Sequence, residues 1–214
     1  MSGEALAGII AAARRGDPAA HAALVDLYGA RLFGFLFRMA GRREDAEDLL
    51  QEVFLRLVRM IATYQDDGRF EPWLFRIAAN LVRDRIRRLR RRPGDRPGGS
   101  DAGEEDRTGE LPAGAAPPDA TLEQGEARDR LAAALRQLPE PEREVILLRH
   151  FSQMSFREIA DATGTPLGTA LARGHRGLAR LRSIMTGDPA KEAGRSDDDE
   201  PEDWTDDAYT ATTW

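Results

Sequence analysis

SFREIADATGTPLGTALARGHRGLARLR, residues 155–182, holds two helix starts and one helix stop in close succession. Ser155 followed by Glu158 matches a capping box, in which the serine side chain accepts from one orphan backbone N–H and the glutamate from another. Gly164 is placed to end that helix in the left-handed conformation, which glycine adopts without a Cβ penalty. Thr165 then caps a longer helix with Pro166 at its first position. Upstream, Val145, Ile146, Leu147 and Leu148 give one further short helix. A short helix, a tight glycine turn and a longer helix form the arrangement that places a recognition helix in the DNA major groove.

Along the longer helix, Leu167, Leu171, Gly174, Leu178 and Leu181 make an inward seam, while Thr169, Ala172, Arg173, Arg176 and Arg180 face outward. Arginines there can read guanine bidentately, and their neighbours can position on phosphate or meet a thymine methyl. The competing reading is a plain helical hairpin with a basic face. Gly174 and Gly177 each cost roughly 1 kcal/mol against alanine in a helix interior, which makes the element marginal without DNA.

Helical patterning extends to the N-terminal half. Ala46, Leu49, Leu50, Val53, Phe54, Leu57, Val58 and Ile61 recur at steps of three and four residues, as on one helix face, with no alternating strand pattern in competition. Leu24, Leu27, Tyr28, Phe35, Leu36 and Met39 mark an earlier helix that starts at Asp17 and Pro18. After the turn-like YQDDGRF, Pro72 starts a third, with Leu74, Ile77, Ala78, Leu81, Val82 and Leu89 on its apolar side. Its other side carries Arg76, Asn80, Arg83 and Arg87, a stripe that sets one amide among guanidinium groups. Such a stripe can neutralise phosphates while the amide reads a base edge. Phe70 and Trp73 add aromatic surface on which single-stranded bases stack, although Trp73 reads first as a core residue.

The charge is segregated. The whole chain of 214 residues has a formal net charge of −6, yet seven arginines occupy ten positions in RDRIRRLRRR, residues 83–92. Residues 31–92 hold 15 Arg against 9 acids and residues 130–187 hold 9 Arg against 5. Residues 93–129 hold 10 acids against 3 bases, and residues 188–214 hold 10 against 2. Two basic modules are thus masked by an acidic average. A solvated basic face is the plain reading of the arginine block, but seven like charges repel one another unless an anion partner is present, which favours nucleic acid.

The stretch 92–120 is rich in Gly, Pro and acids and poor in large apolar residues, so burial cannot offset its ordering entropy. It reads as a flexible linker. Residues 188–214 read as a disordered acidic tail, with Trp204, Tyr209 and Trp214 out of keeping with a purely solvating segment. DDDEPEDW, 197–204, could fold back on arginine-rich surfaces; a solubilising tail is the simpler alternative.

The chain lacks cysteine, which removes disulfides and thiolate metal sites. The charges at the N-terminus follow its apolar run, the reverse of a signal peptide, and no uncharged stretch of about 18 residues suggests membrane insertion. A cytoplasmic protein is expected. His21, His150 and His175 are dispersed, and no nucleophile motif, phosphate-cradling loop or metal-ligand spacing occurs. No catalytic residue, metal or cofactor is assigned.

Three stretches together resemble the extracytoplasmic-function (ECF) sigma factors, the small two-domain initiation subunits of bacterial RNA polymerase. DAEDLLQEVFLRL (45–57) looks like the family's polymerase-binding helix, and FEPWLFRIAANLVRDRIRR (70–88) like its promoter-melting helix. Residues 138–182 look like its C-terminal helix-turn-helix. The resemblance implies that Asp48, Gln51 and Glu52 face core RNA polymerase. It implies that Arg76, Asn80, Arg83 and Arg87 meet promoter DNA at the minus-ten element, that ATYQDDGRF (62–70) captures a flipped base, and that Thr169, Arg173, His175 and Arg176 meet the minus-thirty-five element. Where the family usually has GTVKSR, this chain has GTALAR at 168–173, so a basic and a hydroxyl side chain are missing. An anti-sigma factor is a further candidate partner.

The expected fold is therefore all-α. Residues 1–92 form a helical bundle, 93–121 a flexible linker, 122–187 a helix-turn-helix domain and 188–214 the acidic tail. The expected function is that of a sigma factor that binds core polymerase, recognises promoter DNA and promotes strand opening. Two alternatives remain open: a helix-turn-helix regulator that binds duplex DNA without polymerase, and a protein interaction module such as an anti-sigma or adaptor protein.

Overall fold

The chain divides into two units, Met1–Gly125 and Glu126–Trp214. The computed structural model describes residues 3–91 and 122–187; the linker expected at 93–121, Arg92 and the tail at 188–214 lie outside the described residues. Among the described residues every regular element is helical.

The first unit contains α1 (Gly3–Arg14), α2 (Pro18–Ala40), α3 (Arg43–Met60), a 3-10 turn (Ile61–Thr63) and α4 (Phe70–Arg91). Asp17 caps α2 as expected: its carboxylate accepts the Ala19 N–H at 2.9 Å, and Pro18 fills the first position. The helix stops at Gly41, whose φ of 83° suits glycine and whose N–H donates to the Phe37 carbonyl. By length and composition alone α2 could cross a membrane. Here it packs on α1, α3 and α4, with Leu24, Leu32, Phe35 and Leu36 fully buried. Burial of such side chains stabilises by about 1.5–3 kcal/mol each, so this helix is the centre of the bundle.

On α3, Ala46, Leu49, Val53 and Leu57 are buried, and Ile61 continues the seam into the 3-10 turn. Leu50 and Phe54 are half-buried. Val58, expected on the same face, is exposed. It sits about 100° round the helix from Leu57, and the seam that packs on α2 follows Leu57.

The third helix of the sequence reading starts earlier than Pro72. Phe70 is its first residue, and the Trp73 N–H donates to the Arg69 carbonyl at 3.1 Å. Pro72 sits in the first turn, where a missing N–H costs nothing because that group has no intrahelical partner. The turn before it is closed by Asp66 and Asp67, which accept the N–H groups of Gly68 and Arg69, each at 3.1 Å. Leu74, Phe75, Ile77, Ala78, Leu81 and Val82 are buried. Leu89 is exposed instead, because burial fades from Arg83 onward and the end of α4 runs past its cover.

The second unit contains α6 (Glu140–Ser152), α7 (Phe156–Thr163) and α8 (Leu167–Thr186), preceded by α5 (Leu122–Gln137). Gln153 ends α6 at φ 52°, a non-glycine residue in the left-handed region. The capping box is present: Ser155 Oγ accepts the Glu158 N–H at 3.2 Å, and Glu158 accepts the Ser155 N–H at 2.8 Å. Gly164 ends α7 at φ 65° with its N–H on the Ala160 carbonyl. The next start differs from expectation. Pro166 rather than Thr165 occupies the cap position of α8, without a side-chain cap, and Leu167 is the first helical residue. The Thr165 hydroxyl pairs instead with that of Thr163 at 2.9 Å.

The buried line of α8 also differs. It follows Ala170, Gly174, Gly177 and Ser183, while Leu171, Leu178 and Leu181 are half-buried flanks and Leu167 is exposed. A Cβ at Gly174 would lie 2.7 Å from Phe156 Cε1, and one at Gly177 would lie 2.8 Å from Ile146 Cδ1 and 3.1 Å from Glu142 Cβ. These glycines have a packing role. They let α8 approach α6 and α7 closely, and packing offsets their propensity cost of about 1 kcal/mol each.

Candidate nucleic-acid interface

Alternation of burial along α4 sets out the first candidate surface. Arg76, Asn80 and Arg87 are exposed and Arg83 is half-buried, while Ile77, Ala78, Ala79, Leu81 and Val82 between them are in the core and Asp84, Arg85 and Ile86 are half-buried. The stripe expected from the spacing is thus on the outside of the bundle. Arg83 donates from Nη2 to the Asn80 side-chain oxygen and from Nε to the Ala79 carbonyl at 3.4 Å. The amide oxygen of Asn80 is thereby engaged, and its NH2 is the group left to offer.

At the N-terminal end of α4 an aromatic cluster gathers. Trp73 lies 4.7 Å from Tyr64 and 5.5 Å from Phe70, ring centre to ring centre, and Tyr28 stands 5.6 Å from Phe70. Tyr64 and Phe70 are buried, whereas Trp73 is half-buried and keeps part of its ring at the surface. Burial first, then the carboxylates of Asp66 and Asp67, holds the Tyr64 hydroxyl well above the ordinary tyrosine range. The Tyr28 hydroxyl is also raised, by burial and by Glu71, against the opposing effect of Arg31. Both phenols therefore stay neutral near pH 7.

Asp48 and Gln51 are exposed on α3, and Glu52 is half-buried, accepting from Arg56 Nε at 2.9 Å. Asp48 and Glu52 line one side of a groove whose other side is Leu81, Arg85 and Arg88 of α4. Arg85 is paired with Asp45, so the groove mixes both signs of charge. Leu55, Val58 and Met60 are exposed large apolar residues farther along α3.

On α8, His175 and Arg176 are exposed, and Thr169 and Arg173 are half-buried. Arg176 and Arg180 lean towards α6, where the buried Glu142 accepts from Arg180 Nη1 at 2.9 and 3.1 Å and from Arg176 Nε at 3.5 Å. Arg180, expected to face fully outward, is half-buried against that carboxylate. Helix periodicity gave no sign of this pair, because its partners stand 34 and 38 residues apart in sequence. Tyr64 joins the aromatic cluster from the stretch beside the Asp-Asp-Gly turn, where an aromatic residue in the sequence is its one local sign. Among the described residues no group of three or more His, Asp or Glu could hold a metal ion.

Residues 24–92 match the family model for Sigma-70 region 2, and residues 128–181 match that for Sigma-70, region 4. Over 174 residues the chain is 33% identical to the ECF RNA polymerase sigma factor SigW of Bacillus subtilis, covering 80% of this chain and 92% of that one. The chain belongs to the ECF sigma factor family. It is 39% identical over 155 residues to the RNA polymerase sigma factor CarQ of Myxococcus xanthus, covering 72% of this chain and 83% of the relative. Among solved structures it is similar to CnrH, determined in complex with the cytosolic domain of CnrY, with a TM-score of 0.56 at 26% identity over 84% of this chain and 96% of that one. The sigma factor RpoE of Bartonella quintana, determined with the anti-sigma factor NepR, shares the fold with a TM-score of 0.55 at 23% identity, over 77% of this chain and 95% of that one.

As an ECF sigma factor the protein is a non-enzymatic transcription initiation factor. The region 2 match contains α3 and α4 with their polar stripes, and the region 4 match contains α6, α7 and most of α8.

Proposed function

We propose that this sigma factor binds core RNA polymerase through α3, engages the minus-ten promoter element through α4 and the minus-thirty-five element through α8, and promotes strand opening. The observation that carries this reading is the α4 surface, where Arg76, Asn80, Arg83 and Arg87 lie outside the core and a partly exposed Trp73 stands at the same helix's start. Phosphate neutralisation along the stripe positions a strand, and an aromatic face beside it stacks an unpaired base. With its oxygen held by Arg83, Asn80 offers its NH2 to a base acceptor.

Asp48, Gln51 and Glu52 supply a polar docking surface, with Leu55, Val58 and Met60 as apolar contacts beyond it. In the second unit Arg173, His175 and Arg176, with Thr169, face the duplex. Family membership favours this reading over a polymerase-independent regulator or an adaptor. Residues 1–92 act as the polymerase-binding and melting domain, 93–121 as the linker and 122–187 as the duplex-reading domain, in the cytoplasm. An anti-sigma factor, as with RpoE, is a further partner.

Run-off transcription by core polymerase plus this protein on fragmented genomic template tests the reading. Discrete transcripts that depend on the protein are expected. Failure of the protein to bind core polymerase would overturn it.

A further inference from the structure

Glu142 is a buried carboxylate that the structure sets against two arginines of α8. It is 6% exposed, on the first turn of α6. Its two oxygens accept from Arg180 Nη1 at 3.1 and 2.9 Å, and Oε1 also accepts from Arg176 Nε at 3.5 Å. The arginine side chains remain 57% and 40% exposed at positions 176 and 180. The contact exists because Gly177 lies between those two arginines on α8, with Glu142 Cβ and its carbonyl oxygen 3.1 and 3.4 Å from where a Cβ of residue 177 would stand.

We propose that Glu142 is a specificity-determining positioning residue: it neutralises Arg176 and Arg180 from within, withholding cationic charge from phosphate so that duplex binding by α8 depends on base contacts. The inference rests on the reading of α8 as a duplex-reading helix. Phosphate contacts are sequence-independent and supply most non-specific affinity, whereas base contacts discriminate. A guanidinium held on a buried carboxylate has lost freedom, and the carboxylate's negative charge offsets the attraction that would let it grip the nearest phosphate. Arg176, held at the longer distance and more exposed, keeps its reach to a base edge along a fixed direction. Arg180 is held by both oxygens and is withheld.

The carboxylate also fixes geometry. Glu142 projects from the first turn of α6, which packs on α8, so one carboxylate holds both side chains. Removing its charge leaves no buried ion, because both arginines are substantially exposed and can turn to water. Removing both arginines instead would strand the carboxylate, whereas Arg180→Gln alone leaves it Arg176.

The test uses the full chain, a short random-sequence duplex and a promoter duplex taken from the run-off transcripts, with affinity measured from about 50 to 200 mM salt. For Glu142→Gln, affinity for the random duplex is expected to rise severalfold at low salt. The slope of log affinity against log salt steepens by about 0.9 for each arginine released. The ratio of promoter to random affinity falls. The double variant Glu142→Gln/Arg180→Gln returns about half of the added slope. If the glutamine variant does not fold, Arg180→Gln alone reads the same relation: a withheld arginine makes no phosphate contact, so the slope stays unchanged. A slope for Glu142→Gln that is unchanged or shallower overturns the proposal, as does a loss of about 0.9 in slope for Arg180→Gln alone. If the wild-type chain binds neither duplex, with or without core polymerase, the duplex-reading role of α8 fails and the proposal fails with it.

Discussion

Gly174 lies directly against Phe156: a Cβ at position 174 would meet the ring at 2.7 Å from Cε1 and 3.0 Å from Cζ, closer than packed carbons approach. Phe156 is 3% exposed at the start of α7, and Val145 of α6 stands behind, 3.5 Å from the same point. The close approach of α8 to the other two helices of the second unit therefore depends on the absence of a side chain here.

Gly174→Ala should destabilise the second unit. Helix propensity gains about 1 kcal/mol, but overpacking against a buried ring costs about 1–3 kcal/mol. The net loss is up to about 2 kcal/mol, and each kcal/mol lowers the midpoint by about 4–8 °C in a unit of this size. Thermal unfolding followed by circular dichroism measures it. A midpoint equal to or above wild type would show that Phe156 moves aside without cost.

Charge reversal at Asp48 should weaken core polymerase binding by tenfold or more, about 1.4 kcal/mol. Asp48 is exposed on α3, so its replacement by arginine leaves the fold intact. Competition with wild-type protein for core polymerase gives the number, and an unchanged unfolding midpoint shows that docking rather than folding was lost.

Arg87→Ala and Asn80→Ala should fail differently. Loss of Arg87 removes one exposed guanidinium, so affinity for single-stranded promoter DNA falls equally for all sequences and the salt slope drops by about 0.7. Loss of Asn80 removes a hydrogen-bonding amide, so discrimination at one base falls while the slope holds. Binding of holoenzyme to a panel of single-base variants of the non-template strand separates the two outcomes.

Alkaline titration should destabilise the first unit early. The Tyr64 and Tyr28 hydroxyls have folded-state pKa values raised above the ordinary value of 10.0. A raised acid binds its proton more tightly when folded, so its contribution is fully present below the unfolded pKa and is lost as pH rises above about 10. Urea unfolding at pH 8 and at pH 10.5 or so reads the loss, with tyrosinate absorbance reporting ionisation. Tyr64→Phe should flatten the dependence. If both proteins lose stability equally, the phenol at 64 is not the titrating group.

The elements that sequence made legible are those with local causes. Asp17–Pro18, Ser155–Glu158 and Gly164 each satisfy or end a helix through atoms within a few residues, and the structure keeps all three. The polar stripe of α4 was equally legible, because a residue spacing of three and four fixes which side chains share a face. Two starts beside a proline are displaced from the expected position, α4 beginning at Phe70 rather than Pro72 and α8 at Leu167 rather than Pro166. Pro72 and Pro166 are tolerated at several positions around a helix N-terminus, and the neighbouring hydrogen bonds, not the ring, decide which.

By itself the sequence determined that the folded parts are helical, where α2, α4, α7 and α8 begin to within two residues, and which residues share the polar face of α4. It could not determine which line of α8 is buried. Leucines at 167, 171, 178 and 181 were the obvious seam, yet Ala170, Gly174 and Gly177 are what the other helices touch. Periodicity registers the size of apolar side chains, whereas the distance between helix axes rewards their absence. Once α6 and α7 close onto that small-residue line, Glu142 comes under Arg176 and Arg180, and a buried charge 34 residues away in sequence holds the arginines proposed to meet DNA.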